Sequence, residues 1–253
     1  MANLERNTLI LNYLKEKKSA SVEELARHLF VSEATIRRDL TEMQKLGQIE
    51  RSHGGAMLME NAEEISIFIR LEKNAKEKEK TASIALKYIP DFKTVFIDNS
   101  STCLALAERM NLSHKTVVTN GLQIAAKLSQ KDNVQILMPG GSVLYNTNSV
   151  MGSMAIDGIK HFRFDLMLSS CAALDESGSY ENSVDTATLK RVAIMQSKKR
   201  ILLADSSKIG NSAMFCTCSL ANYDLIVTNA NDELVQQLHY AGVRVTNKYK
   251  QEN

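Results

Sequence analysis

The sequence predicts an α/β protein in two parts, a small helical domain followed by a larger one built on a parallel sheet. Three observations carry that prediction. A helix, a tight turn and a second helix fall within about 25 residues near the amino terminus. From Thr94 onward, short runs of Val, Ile and Leu alternate with helical patterns. Between the two regions lies a polar stretch dense in charge. At about 100–200 residues per domain, a chain of 253 residues accommodates two unequal domains. Its 44% hydrophobic and 24% charged residues supply a core and exclude collagen, a disulfide-stapled miniprotein and wholesale disorder. With 31 Lys and Arg against 29 Asp and Glu, the net charge of +2 leaves the question of partners open.

At the amino terminus Leu9, Ile10, Tyr13 and Leu14 recur at helical spacing and predict a first helix over about Leu4–Lys17. Ser21 reads as an N-cap, with Glu24 three residues later completing a capping box. The second helix, Val22 to about Leu29, buries Val22, Leu25, Ala26 and Leu29. After a break at Phe30-Val31, Ser32 caps a third helix that runs to about Leu46 and is ended by Gly47.

The third helix is two-sided. Ile36, Leu40 and Met43 fall on one face as a core stripe. Ala34, Arg38, Thr41 and Lys45 follow the i, i+4, i+7, i+11 rule on the other, with Arg37 beside them. Small residues and cations without apolar bulk suit a helix that enters a DNA groove. Arg38 can offer two donors to guanine O6 and N7, while Thr35 and Arg37 suit phosphate oxygens. The same pattern also describes a solvated surface. Residues 1–57 hold nine Lys/Arg and eight Asp/Glu, so placement rather than total charge carries the signal.

Residues 73–80, with Lys73, Lys76, Lys78 and Lys80 against Glu77 and Glu79, predict a solvated helix face at a domain junction. Strands follow at Thr94–Ile97, Thr116–Thr119, Val134–Met138, Asp165–Leu168, Arg200–Ala204, Asp224–Val227 and Val243–Thr246. Helices are expected near Cys103–Met110 and Leu122–Ser129. Apolar strands without strict alternation imply a parallel sheet covered on both faces, which binds ligands outside the carboxyl ends of its strands.

Four such ends carry polar residues: Asp98 to Thr102, Thr119-Asn120, Gly140-Gly141 and Asp205 to Lys208. Together they supply a phosphate cradle, groups for sugar hydroxyls and one lysine. Taken singly, each reads first as an N-cap or a turn; four at one sheet edge point to a shared site.

The longest apolar runs fall far short of the roughly 20 residues that span a bilayer, and the amino terminus lacks a secretory pattern. Cys103, Cys171, Cys216 and Cys218 form no disulfide framework. Cys216-x-Cys218 is half a metal site without a second Cys/His pair. A cytoplasmic protein without membrane, metal or cofactor is the expectation.

The string Val31-Ser32-Glu33-Ala34-Thr35-Ile36-Arg37-Arg38-Asp39-Leu40, then Leu46-Gly47 and Arg51-Ser52-His53-Gly54-Gly55-Ala56, resembles the DeoR family of bacterial transcriptional regulators. The resemblance implies a winged helix-turn-helix and a Rossmann-like α/β sensor domain similar to sugar-phosphate isomerases. Residues 1–57 would then bind DNA, 58–75 would link, and 76–253 would sense an effector. Gln48–Met57 becomes the wing, with Arg51 and His53 near DNA. His53-Gly54-Gly55 could also belong to an oxyanion-hole loop, but no Gly-x-Ser-x-Gly elbow accompanies it. By resemblance Ser100, Ser101 and Thr102 hold a phosphate, and Asp98, Asn120 and Lys208 line the pocket with Thr119, Gly140, Gly141 and Asp175.

Two segments depart from the family pattern. Ser170-Cys171-Ala172-Ala173-Leu174-Asp175 stands where a glycine-rich loop is usual, and Thr186-Ala187 stands where Glu-Ala usually precedes the Lys190-Arg191 pair. The roles of Asp175, Glu181 and Asp185 therefore do not transfer from the family.

The functional expectation is a non-enzymatic, homo-oligomeric repressor of a carbohydrate operon. It would bind operator DNA through Ser32, Glu33, Ala34, Thr35, Arg37, Arg38, Thr41, Lys45, Arg51 and His53, and a phosphorylated sugar would release it. The rivals are a sugar-phosphate isomerase or deaminase with an appended DNA-binding module, and a constitutive DNA-binding protein with an empty sensor.

Overall fold

The computed structural model describes residues 3–45, 49–52, 54–58, 66–239 and 242–248, without the side chains of 3–5, 8, 15, 45, 58, 237 and 239. Gly47, His53 and the Lys45 side chain, all part of the sequence reading, lie outside the described set. The chain divides into two compact units: Met1–Arg70 with Tyr145–Thr147, and Leu71–Leu144 with Asn148–Asn253.

The first unit opens with α1 (Asn3–Lys17), β1 (Ser19–Ser21), α2 (Val22–Leu29) and α3 (Glu33–Lys45), followed by β2 (Ile49–Ser52) and β3 (Gly55–Leu58). Both halves of the capping box form. Glu24 N donates to Ser21 Oγ at 3.1 Å, and Ser21 N donates to Glu24 Oε2 at 2.7 Å. Ile10, Leu14, Leu25, Leu29, Ile36, Leu40 and Met43 make the core, so the inner stripe of α3 packs where its spacing requires.

Where the sequence predicts a wing, β2 and β3 pair antiparallel, and β1 adds a third strand in the order β1-β3-β2. The addition of β1 was not legible in the sequence. It explains Gly55, whose Cβ, if present, would lie 2.2 Å from the Ala20 carbonyl oxygen. The break between α2 and α3 is made by Phe30 in the left-handed region, φ 55°, with its ring exposed.

Next come α4 (Ile67–Glu72), α5 (Ala75–Leu86), β4 (Thr94–Ile97), α6 (Ser101–Ala107), β5 (Thr116–Thr119), α7 (Leu122–Leu128) and β6 (Gln135–Leu137). The chain continues through β7 (Ser142–Leu144), β8 (Ser149–Met151), α8 (Ser153–Lys160), β9 (Phe164–Ser170), β10 (Ala173–Leu174), β11 (Ser179–Glu181) and α9 (Val184–Met195). It closes with β12 (Ser197–Leu203), β13 (Phe215–Cys218), β14 (Leu225–Val227), α10 (Asp232–His239) and β15 (Val245–Thr246).

Seven strands form one parallel sheet in the order β15-β14-β12-β9-β4-β5-β6. The seven strands expected from apolar runs are these seven. Their residues alternate between two cores. Val95, Ile97, Leu166, Leu168, Ile201 and Leu203 pack on one face under α5, α6 and α7. Phe96, Met167, Leu202 and Ile226 pack on the other against α8, α9 and α10. Burial on both faces is why the strands read as unbroken apolar runs.

The sequence did not disclose the β7–β8 hairpin or the small β10-β11-β13 sheet, whose strands are two to four residues long. Lys78 corrects the expected solvated face of 73–80. It is buried on α5, and its ammonium reaches the Lys73 carbonyl at 2.5 Å.

Candidate DNA-reading face and ligand crevice

On α3 the structure leaves Glu33, Ala34, Arg37, Arg38 and Thr41 exposed and Thr35 half-buried, next to exposed Ser32. Ser32 Oγ accepts from Thr35 N at 3.2 Å and lies 2.9 Å from Thr35 Oγ1, so Ser32 is the N-cap the sequence predicts. Arg37 pairs with Glu33 at 2.7 Å across one turn. Thr41 Oγ1 donates to the Arg37 carbonyl at 2.7 Å and accepts from Arg51 Nη1 of the wing at 3.0 Å. Arg51 is therefore tied to α3 rather than standing apart on the hairpin. Among the described residues Arg38 has no ion pair or side-chain hydrogen bond, which leaves its guanidinium available.

One residue of the same helix, Asp39, points inward. Arg6 of α1 forks over its carboxylate, and both side chains are buried. The pair fixes the rotation of α3 about its own axis, and with it which side chains face outward.

In the second unit, strand order reverses between β4 and β9, and the polar residues gather at the carboxyl ends of those strands. Fully buried Asp98 follows β4. Its Oδ1 accepts from Ser100 N at 3.0 Å; its Oδ2 accepts from Ser169 Oγ at 2.8 Å, Ser170 N at 2.9 Å and Lys190 Nζ at 2.8 Å. Lys190, reaching in from α9, also donates to Glu181 Oε1 at 2.5 Å and the Ser170 carbonyl at 2.7 Å. Three acceptors engage its three protons. Burial alone would raise the Asp98 carboxyl, but the Lys190 charge and the hydrogen bonds together hold it well below the usual carboxylate range. Burial likewise opposes the charge on Lys190, and the two carboxylates overcome it, holding the amine above its ordinary value.

Lys208 stands beside this network. Its side chain is 15% exposed, and it donates to Ser170 Oγ at 2.7 Å, with Asp205 Oδ2 at 4.0 Å. Cys171 is buried in the same neighbourhood, and desolvation pushes its thiol up to about 12. Three buried polar atoms near these strand ends lack a hydrogen-bond partner: Thr102 Oγ1, Asn120 Oδ1 and Asp205 Oδ2.

Other residues expected in the pocket are engaged locally. Ser100 caps α6 by accepting from Cys103 N at 3.1 Å, and Thr119 Oγ1 accepts from Gly121 N at 3.0 Å. Ser101 borders a separate groove of about 270 Å³ that Leu71, Lys78, Gln123 and Lys127 also line. Gly141 adopts φ 140°, and a Cβ there would fall 2.5 Å from the Met151 carbonyl; Gly140 is exposed. Asp175 is not brought into the network. Its carboxylate accepts from Ser177 N at 2.8 Å, Gly178 N at 3.1 Å and Tyr180 Oη at 3.0 Å, which closes the β10–β11 turn.

Sequence reading missed the centre of the buried network, which is Lys190 held between Asp98 and Glu181. The available signal was the Lys190-Arg191 pair in a helix, with Glu181 nine residues earlier. Among the described residues no group of His, Cys, Asp and Glu is suited to a metal ion, and no helix is long and apolar enough to cross a membrane.

Residues 6–62 match the model of the DeoR-like helix-turn-helix domain, and residues 73–230 that of the DeoR C terminal sensor domain. The chain is 32% identical to the HTH-type transcriptional regulator GolR of Listeria innocua, covering 97% of this chain and 98% of that protein. It is 33% identical to the glycerol-3-phosphate regulon repressor of Escherichia coli over 91% of this chain and 92% of that one. With the HTH-type transcriptional repressor GlcR of Bacillus subtilis it shares 31% over 89% and 88% of the two chains. Among solved structures, a ribose 5-phosphate isomerase from Methanocaldococcus jannaschii aligns over 54% of this chain and 55% of that chain, at 12% identity and a TM-score of 0.39. The chain belongs to the DeoR family of transcriptional regulators, a DNA-binding helix-turn-helix domain followed by a sensor domain.

Proposed function

We propose that this regulator represses a carbohydrate operon and leaves its operator when a phosphorylated sugar enters the crevice above β4 and β9. The observation that carries the reading is Lys208, a partly exposed cation beside Ser170, next to a buried charge network that is already satisfied. Lys190 is committed to two carboxylates, so Lys208 is the cation left to meet a phosphate. Thr102 Oγ1, Asn120 Oδ1 and Asp205 Oδ2 offer hydrogen bonds to sugar hydroxyls. Two of the relatives named above are repressors, one of them of a glycerol-3-phosphate regulon.

In this reading residues 1–57 read the operator, 58–75 join the parts, and 76–253 respond to the effector. Ser32, Ala34, Thr35, Arg37 and Arg38 meet the duplex, and homo-oligomers in the cytoplasm pair the half-sites. Release requires a coupling of about 1–3 kcal/mol between the two sites.

Asp98 does not supply the base that the isomerase alternative needs. Asp98 is ionised, ion-paired and fully hydrogen-bonded, the reverse of a carboxylate poised to take a proton from carbon. A thermal-shift screen against pentose, hexose and glycerol phosphates tests the proposal. A hit should also lower the affinity for operator DNA. Lys208→Met should abolish the shift yet bind operator as the native protein does. Steady conversion of any of these phosphates would overturn the choice of regulator over enzyme, and a screen without a hit would leave a constitutive DNA-binding protein.

A further inference from the structure

Phe30 occupies the turn between α2 and α3 at φ 55° and ψ 42°, a conformation in which a side chain with a Cβ is strained. Glycine or asparagine would make the turn without that strain. Its ring is also 94% exposed, more than Met195 at 80% or Met214 at 79%. A single exposed apolar side chain is ordinary, and so is a single left-handed residue. Here one aromatic residue bears both costs and gains almost no packing among the described residues.

Its position supplies a partner. Phe30 stands two residues before Ser32, the N-cap of α3, and the exposed Arg37 and Arg38 follow Ser32 by five and six residues, about one and a half turns along the helix. Arg27 lies three residues before it on the last turn of α2. A residue so placed is continuous with the face that meets DNA, at the margin where the helix enters rather than along the base-reading stripe.

We propose that Phe30 packs against the deoxyribose backbone of bound duplex DNA and adds an apolar contact that carries no sequence information. The deoxyribose carbons are the apolar part of an otherwise anionic strand. A ring set beside phosphate-binding residues can cover them without displacing a charge.

The test uses the full-length protein and two probes: a duplex it has selected from a random-sequence pool, and an unrelated duplex of the same length. Phe30→Gly and Phe30→Asn should raise or preserve the thermal midpoint, because strain is relieved. Both should weaken the two duplexes by the same factor, roughly threefold to tenfold, the range of one aromatic contact. Phe30→Tyr, which keeps the ring, should bind as the native protein does. Since no charge is lost, the slope of log affinity against log salt should stay the same; a disturbed α3 would lower it by losing phosphate contacts.

Native-like binding by the Gly and Asn variants would overturn the proposal, as would a loss confined to the selected duplex. A changed sedimentation coefficient of DNA-free Phe30→Gly would assign the ring to a protein partner instead. A native protein that selects no duplex would defeat the DNA reading as well, a separate and recognisable result.

Discussion

Arg6 Nε lies 2.5 Å from Asp39 Oδ2 and Arg6 Nη2 lies 2.9 Å from Asp39 Oδ1, a bidentate pair buried between the first and third helices. Removing Arg6 leaves a carboxylate buried without its cation. Arg6→Met should therefore destabilise the first unit by about 2 kcal/mol, read as a lower midpoint in urea. Arg6→Met combined with Asp39→Leu should recover most of the loss, since two apolar residues can replace a buried pair at little cost. A double variant as unstable as the single would deny the coupling.

Lys190 predicts a larger effect in the second unit. Lys190→Met leaves Asp98 and Glu181 facing each other below the surface and should cost about 3–5 kcal/mol in unfolding free energy.

The same network sets a pH window. Asp98 is held below the ordinary carboxylate range, so its contribution to stability is complete above about pH 5 and is lost as pH falls through its folded-state value. Lys190 is held above the ordinary amine range, so its contribution is complete below about pH 9 and is lost as pH rises through its folded-state value. Unfolding midpoints should form a plateau between those limits. In Lys190→Met the acid limb should move to higher pH, because Asp98 loses the charge that keeps it ionised.

The two arginines of the proposed DNA-reading face should separate in kind. Arg38→Ala should weaken a selected operator by about 1–3 kcal/mol and relax base preference at one position. Arg51 is bound to Thr41, so Thr41→Val should mimic part of the effect of Arg51→Ala by releasing the wing. Equal losses on every sequence are expected from both, measured by anisotropy across several duplexes. Unchanged affinity in Arg38→Ala would remove that side chain from base reading.

The cysteines should divide by exposure. Cys216 is exposed and should react promptly with a thiol reagent in native protein. Cys103 and Cys171 are buried, and desolvation pushes both thiols up, so they should react only when the chain unfolds. Protection of Cys216 in the native state would contradict this placement.

Elements whose formation depends on local pattern were readable from the sequence. The Ser21–Glu24 capping box, the Ile36–Leu40–Met43 stripe and seven apolar strands each follow from spacing within a few residues. The candidate ligand crevice was readable only in part. Asp98 and Lys208 sit at strand ends, where parallel sheets gather polar groups. Lys190 sits within a helix, at a position that periodicity assigns to solvent or core, and its role depends on Asp98 arriving from 92 positions earlier. Asp175 stands outside the Asp98–Lys190 network for the opposite reason. An acid in a loop suits a pocket and a turn equally well, and three local donors claim it.

The reversal of strand order at β4 has a consequence for synthesis. The chain lays down the inner strand β4 first, adds β5 and β6 on one side, and reaches the central position only with β9. Asp98 thus emerges from the ribosome long before Ser169, Lys190 and Lys208, which complete its surroundings. A nascent chain that stops short of β12 holds the whole helix-turn-helix but no finished crevice. For that interval it would be deaf to any signal that acts through the crevice.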